Sequence, residues 1–174
     1  MKRTISYLAA TALFGAGLAV AAAPAQADPG PCQLGWSNVE PRSCAQNSFN
    51  LAPVFALGNG ACVGMFSVGG TAFDGPLYQY SEAPGAAHAV VVRVLPGFSP
   101  IGTWGPHLLA CDVTAVVDWH NVDTGQRGSV SRFVPGWQRL GPTTIVADTG
   151  PGRVQLTVRT DGPSIPATAE VFVP

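Results

Sequence analysis

The stretch CDVTAVVDWH, residues 111–120, alternates between two kinds of side chain. One face carries Cys111, Val113, Ala115, Val117 and Trp119, and the other carries Asp112, Thr114, Val116, Asp118 and His120. A period of two with one mostly apolar face is typical of a strand in a half-buried antiparallel sheet. We therefore expect the face that includes Trp119 to pack into a core.

Similar strand patterns occur on both sides of this stretch. Residues 121–128, NVDTGQRG, are rich in turn formers and predict a hairpin that leads into a strand over 129–134. Alternation also predicts strands in five other segments: 61–68, 87–95, 143–147, 153–159 and a last strand with Ala169, Val171 and Val173 on one face. Val90, Val91 and Val92 make one of these apolar on both faces, which indicates a central or covered strand.

The spread of 21 Gly and 16 Pro leaves no window for a long helix. About seven short strands separated by Gly/Pro turns predict an all-β fold, an antiparallel two-sheet sandwich over residues 61–174. The less regular residues 28–60 are predicted to form an N-terminal arm. An immunoglobulin-like topology is a narrower alternative, but no tyrosine precedes the 153–159 strand, where the tyrosine corner of that fold would place one.

Residues 1–27 have the order of a cleavable signal peptide. Lys2 and Arg3 precede an apolar run, which ends at Ala25-Gln26-Ala27. Cleavage would leave 147 residues with seven basic and ten acidic groups, a net charge of −3. This charge does not fit a nucleic-acid binder, and after cleavage no membrane span is expected. The chain is predicted to be secreted or loosely associated with the cell envelope.

Four cysteines, Cys32, Cys44, Cys62 and Cys111, belong to the predicted exported part. An even number in an oxidising compartment favours two disulfides, with three connectivities open. We favour Cys32–Cys44, which would tie the arm, and Cys62–Cys111, which would join two distant strands. Zinc binding is the alternative, although the spacing matches no paired C-x-x-C pattern.

Three features carry a resemblance to a known group of secreted proteins: the signal peptide, the composition rich in Ala, Gly, Pro and Arg, and the hairpin WHNVDTGQRG, residues 119–128. They are similar to the small secreted proteins of mycobacteria and related actinobacteria that have an immunoglobulin-like β-sandwich. The resemblance implies a sandwich fold. It assigns no functional residue, because many proteins of this group have no known activity.

Catalytic signatures are missing from the sequence. There is no G-x-S-x-G motif for a serine nucleophile. Asp112 and Asp118 share a strand face but lie six residues apart, about 20 Å, which is too far for a glycosidase pair. We instead expect them to form ion pairs with Arg159 and Arg153 on a neighbouring strand. The chain is predicted not to be an enzyme and to need no cofactor.

Two sets of residues are candidates for binding. Asp118 and His120, at i and i+2 on one strand face, form a candidate metal site, although two ligands do not complete it. Aromatic residues in turn-rich stretches are candidates for stacking on sugars or anchoring a protein: Trp36, Trp104, Trp137, Tyr78 and Tyr80. They equally fit the capping of a small sandwich.

Three functions remain open from the sequence. The first is a non-enzymatic interaction module that binds an unknown protein or envelope component through loops or a sheet face. The second is a binder of small ligands, glycans or metal, and the third is a hydrolase with a dispersed site.

Overall fold

The computed structural model describes residues 30–34, 42–58, 62–77, 85–99, 107–137 and 141–174. These residues form an all-β structure without a helix. None of them belongs to a helix long and apolar enough to cross a membrane. The predicted signal peptide, residues 1–27, lies outside the described residues, so its cleavage stays a prediction.

Strands account for most of the described chain. In order, they are β1 (Cys32–Gln33), β2 (Arg42–Ser43), β3 (Gln46–Asn50), β4 (Val54–Leu57), β5 (Val63–Phe73), β6 (Ala89–Pro96), β7 (Val113–Asn121), β8 (Arg127–Val134), β9 (Thr143–Asp148), β10 (Gly152–Thr160), β11 (Ser164–Ile165) and β12 (Ala167–Val173).

Two antiparallel sheets form the sandwich that the sequence predicts. Sheet one has the order β12-β10-β7-β8, and sheet two has the order β11-β4-β5-β6-β9. β3 also pairs with β5, next to β4, and β1 and β2 form a small parallel pair. The predicted hairpin joins β7 to β8 through the turn at 122–126.

The main core lies between the two sheets. Val113, Ala115 and Val117 of β7 are buried there, and Trp119 packs against them partly buried, as the alternation of residues 111–120 predicts. From sheet two, side chains at alternate positions of β4, β5 and β6 are buried in this core: Val54, Phe66, Val68, Val92 and Val94. From sheet one, β10 adds Val154, Leu156 and Val158. Removal of this apolar surface from water supplies most of the driving force for folding.

A second, smaller cluster covers part of the outer face of sheet two. Cys32, Cys44, Phe73, Leu77 and Val91 are buried together there. Val90 and Val92 point to the main core. β6 is therefore covered on both sides, as the apolar run Val90–Val92 predicts.

Both predicted disulfides are confirmed. Cys32–Cys44 spans 12 residues and ties β1 to the chain before β3. Cys62–Cys111 spans 49 residues and joins the start of β5 in sheet two to the approach to β7 in sheet one. Gly58 and Gly64 let the backbone pass close to Cys111, because an added Cβ would lie 2.6 and 2.9 Å from the Cys111 Cβ.

The region predicted to be an irregular arm is more regular than expected. Within residues 28–60, β3 and β4 are hydrogen-bonded to β5 as members of sheet two. β5 is 11 residues long, so the side away from β6 has room for two short partners in succession. Among the described residues of this region, β1 and β2 pair with each other outside the two main sheets, and we keep the name arm for the segment around Cys32–Cys44. An immunoglobulin-like topology stays a prediction.

Candidate functional site

Asp118, a predicted metal ligand, lies on the outer face of sheet one. Its carboxylate accepts two hydrogen bonds from Arg159, at 2.6 Å from Nε and 3.5 Å from Nη2. Hydrogen bonding to Arg159 holds the pKa of Asp118 below its usual value, with a further bond from Ser129 in the same direction. A metal at Asp118 would therefore have to displace an arginine from both carboxylate oxygens.

The predicted ion pairs of this face are partly wrong. β10 does neighbour β7, but the register places Thr157 opposite Asp118 and Val116 opposite Arg159. Arg159 consequently reaches Asp118 diagonally, and Arg153 lies beyond the end of β7. Asp112, predicted to pair with an arginine, accepts a hydrogen bond from the Gly136 N–H at 2.7 Å.

His120, the second predicted metal ligand, is half-buried in the same face. Its cross-strand neighbours are Arg127 and Gln155, neither of which is a good ligand for a divalent metal. Among the described residues, one group of three metal-capable side chains has its ligand atoms within 4.8 Å of one another, namely Cys32, Cys44 and Asp74. Its two sulfurs are joined in a disulfide. The metal site at Asp118 and His120 stays a prediction.

A buried asparagine organises the turn that follows β7. The Asn121 Nδ2 donates to the carbonyls of Thr149 and Pro151, both at 2.9 Å, and its Oδ1 accepts from the Asp123 and Thr124 N–H groups. Asn121 is fully buried. The sequence predicts only a turn here, because nothing in a run of turn formers shows which polar side chain points inward.

The carboxylate of Asp123, in the turn after β7, is bound to Arg153. It accepts hydrogen bonds from the Arg153 side chain at 2.8 and 3.0 Å and from the Arg153 backbone N–H at 2.8 Å. These bonds lower the pKa of Asp123 and raise that of Arg153. These bonds hold the hairpin turn against the start of β10, and both carboxylate oxygens of Asp123 accept a hydrogen bond from Arg153.

Two of the three histidines have a ring nitrogen next to a backbone oxygen. The His88 Nδ1 lies 2.5 Å from the Pro174 oxygen, and the His107 Nδ1 lies 2.8 Å from the Pro96 oxygen. In a triad the histidine is oriented by a carboxylate and bonded to a nucleophile. Within the part of the chain that the structure describes, no serine is bonded to a histidine.

Of the predicted aromatic binding residues, Trp137 alone lies in the described residues. It is 77% exposed and follows Gly136, whose backbone lies directly against Cys111. Trp36, Trp104, Tyr78 and Tyr80 lie outside the described residues. Their roles stay predictions.

Trp137 belongs to a larger group of exposed apolar side chains at one end of the molecule. We call this group the disulfide end, because its members lie on the strand ends and loops next to Cys62–Cys111 or on β4 and β11 beside them. It contains Phe55, Leu57, Val63, Phe98, Leu108, Leu109, Trp137 and Ile165, which are eight of the eleven exposed large hydrophobic residues in the described chain. Individual exposed apolar residues are ordinary, so the notable feature is that eight of them lie at one end of the molecule.

The backbone holds these side chains in place. Phe98 and Leu108 form a β-bridge with hydrogen bonds of 3.0 and 2.8 Å, and the Leu109 carbonyl accepts from the Met65 N–H at 3.0 Å. Leu109 has φ = +56°, the left-handed region that β-carbon-bearing residues rarely adopt.

Part of the disulfide end is concave. A groove of about 340 Å³ lies on the outer face of sheet two, where β11, β4 and the start of β5 run side by side, and is lined by Phe55, Ala56, Leu57, Val63, Pro163, Ser164 and Ile165. Cross-strand pairing places Ile165 beside Phe55, and Leu57 beside Val63. This surface could not be predicted from the sequence, because Phe55 and Leu57 belong to the stretch predicted to be an irregular arm and Ile165 comes beside them only through the pairing of β11 with β4.

No protein-family model, curated protein or solved structure matches this chain.

Proposed function

We propose that the chain is an exported, non-enzymatic interaction module that binds its partner through the disulfide end. The concentration of eight exposed large apolar side chains around Cys62–Cys111 carries the proposal. Each square ångström of apolar surface left in water costs about 25 cal/mol relative to burial. Binding of a partner recovers this free energy, and rigid strand ends reduce the entropy lost on association.

Export is supported by two observations. The chain contains two disulfides, and such bonds persist in oxidising compartments outside the cytosol. The first 27 residues have the order of a signal peptide. Mass spectrometry of the exported protein should give a chain that begins at Asp28, and an intact N-terminus would contradict export through this signal.

The partner is proposed to be a protein or an envelope component with an apolar contact surface. Photo-crosslinking tests this, with benzoylphenylalanine placed at Trp137 or, as a matched exposed control, at Thr168 on the outer face of sheet one. Cells of the source organism should give a discrete cross-linked species from position 137 and not from position 168. Equal cross-linking from both positions, or none from position 137, would contradict the proposal.

A further inference from the structure

We infer that the free edge of β8 binds an extended, acidic peptide segment of a partner protein by strand addition. The inference goes beyond the proposed function, because β8 is a different surface from the disulfide end, although its last residue, Val134, is three positions from Trp137. The observation that leads to it is a row of outward-pointing backbone groups along β8, with an exposed arginine near each end.

The backbone of β8 can accept another strand. Among the described strands β8 pairs with β7 alone, in a ladder that covers all eight of its residues without a bulge or a proline. The Asn121 N–H donates to the Gln126 carbonyl at 2.8 Å, so the hydrogen-bonded pairs of this antiparallel ladder fall on every second residue from there. The residues between them point their N–H and C=O groups away from β7, namely Arg127, Ser129, Ser131 and Phe133. Within the ranges that the structure describes, nothing else bonds to these backbone groups.

The other described strand edges suit an acidic peptide less well. On β12, the Phe172 carbonyl already accepts a hydrogen bond from the Asn47 side chain at 2.8 Å. β11 has two residues and stands between Pro163 and Pro166, which lack an N–H. β3 carries no charged residue, and β9, which lies beside β8, carries one, Asp148, which would repel an acidic segment. β8 is therefore the edge that best fits strand addition by such a peptide.

The charges on β8 favour an acidic partner. Arg127 and Arg132 are exposed, and neither belongs to an ion pair in the part of the chain that the structure describes. His120, the cross-strand neighbour of Arg127, is a further group that becomes positive at mildly acidic pH. A carboxylate of the partner can therefore bind either arginine through charge-assisted hydrogen bonds.

The carboxylates of sheet one are engaged elsewhere. Asp118 and Asp123 each accept hydrogen bonds from an arginine of β10. Asp112, at the other end of the ladder, accepts one from a backbone N–H at 2.7 Å. Asp161 and Glu170 lie on the far side of β7 from β8, next to the arginines of β10. A partner's carboxylate that binds to β8 thus breaks no ion pair of the described chain.

The spacing of the two arginines sets the pattern expected in the ligand. Arg127 and Arg132 are five residues apart, about 17 Å along the strand. An odd separation places their side chains on opposite faces of the sheet. A strand that pairs with β8 has the same alternation of faces, so its two acidic residues are also expected five positions apart.

Two synthetic peptides of identical composition test the inference. Both are capped chains of eight residues, threonine and valine with two glutamates, which are the second and seventh residues of the probe and the second and sixth of the control. Each is titrated into the exported, disulfide-bonded protein, and amide hydrogen exchange is followed by NMR. The probe should slow exchange at Ser129, Ser131 and Phe133. Exchange at Gly128 and Val130, whose amides already bond to β7, should change little.

The control peptide should bind about threefold more weakly than the probe, because its glutamates reach one arginine at a time. Slower exchange confined to the outward-pointing amides, together with this difference in Kd, would support the inference. No slowing at these amides, or equal binding of the two peptides, would overturn it.

Substitutions on β8 provide a matched comparison. Ser131→Pro removes one outward N–H, and Ser131→Ala removes the same hydroxyl but keeps the N–H. Proline is tolerated on an edge strand where the N–H faces solvent, so Ser131→Pro should fold and weaken binding of the probe by about tenfold. The Kd of Ser131→Ala should stay within about twofold of the wild type. Equal binding by these two variants would overturn the inference.

The double change Arg127→Gln with Arg132→Gln leaves the backbone of β8 intact and decides the question if Ser131→Pro does not fold. It should weaken binding of the probe by about fivefold and remove the preference for the probe over the control peptide. Unchanged binding in this variant would overturn the inference.

The outcomes separate this inference from the proposed function. Cross-linking at position 137 without binding of the probe would overturn strand addition and leave the disulfide end standing. Binding of the probe without cross-linking would support strand addition and overturn the disulfide end as the partner site. Protection of the outward-pointing amides that rises with protein concentration, in the absence of peptide, would mean that a second copy pairs with β8, which overturns the inference.

Discussion

Removal of each disulfide should destabilise the protein by an amount set by the length of the loop that it closes. Cys62–Cys111 closes a loop of 49 residues and Cys32–Cys44 closes one of 12. Loop-closure entropy predicts a loss of about 4 kcal/mol for the double change Cys62→Ala with Cys111→Ala, and about 3 kcal/mol for Cys32→Ala with Cys44→Ala. Each variant loses one disulfide, so the difference of about 1 kcal/mol between the two losses reflects mainly the length of the closed loop.

Equilibrium urea denaturation of the two variants and the wild type measures these losses. The midpoint should fall in both variants, further for the 49-residue loop, and the m-value should rise because the unfolded chain is less compact without the cross-link. The refuting result is a reversed order, or a loss below about 1 kcal/mol for the longer loop. Either would mean that native contacts, rather than the unfolded chain, set the contribution of these bonds.

Three further changes test individual contacts. Arg159 lowers the pKa of Asp118 below 3.8, so the stability from this contact is present above that pH and is lost as the pH falls through the folded-state pKa. Asp118→Asn should therefore reduce the decline of the urea midpoint between about pH 5 and pH 2.5. An unchanged decline would exclude the contact as its cause. Asn121→Ala leaves buried backbone groups without partners and should lower the free energy of unfolding by about 1–3 kcal/mol in urea, whereas a loss near zero would show that water replaces the amide. Gly128→Val places a Cβ 2.6 Å from the Trp119 ring and should lower the free energy of unfolding by about 1–3 kcal/mol in the same assay. An unchanged free energy would show that the ring moves aside.

The sequence predicts the sandwich well where a strand has one buried face. Residues 111–120 alternate because Val113, Ala115 and Val117 face the main core, whereas Thr114 and Asp118 on the other face are half-buried. By contrast, β3 reads QNSFN and is mostly exposed, so it has no alternation to detect. It forms a strand because the free side of β5 supplies hydrogen-bond partners, and such a long-range cause leaves no local pattern.

The candidate site was harder to predict than the fold. Asp118 and His120 do share a face, as the period of two requires, but the register of β10 decides that Arg159 engages Asp118. Register depends on turn geometry across the molecule and cannot be taken from the spacing of charges alone. The groove likewise requires β11, a two-residue strand over 100 residues away in sequence from β4, to lie beside it.

The double covering of β6 has a consequence for the way the molecule opens. The main core covers one face of β6, and near Val91 the cluster around Cys32–Cys44 covers the other face. The amide hydrogens of β6 should therefore exchange with deuterium more slowly than those of the other strands, with an exchange free energy close to that of global unfolding. The amides of β11 should exchange through local fluctuations. Reduction of Cys32–Cys44 alone should detach the arm and accelerate exchange at Ala89 and Val91 before it affects β7, which would make the arm a separate cooperative unit from the sandwich beneath it.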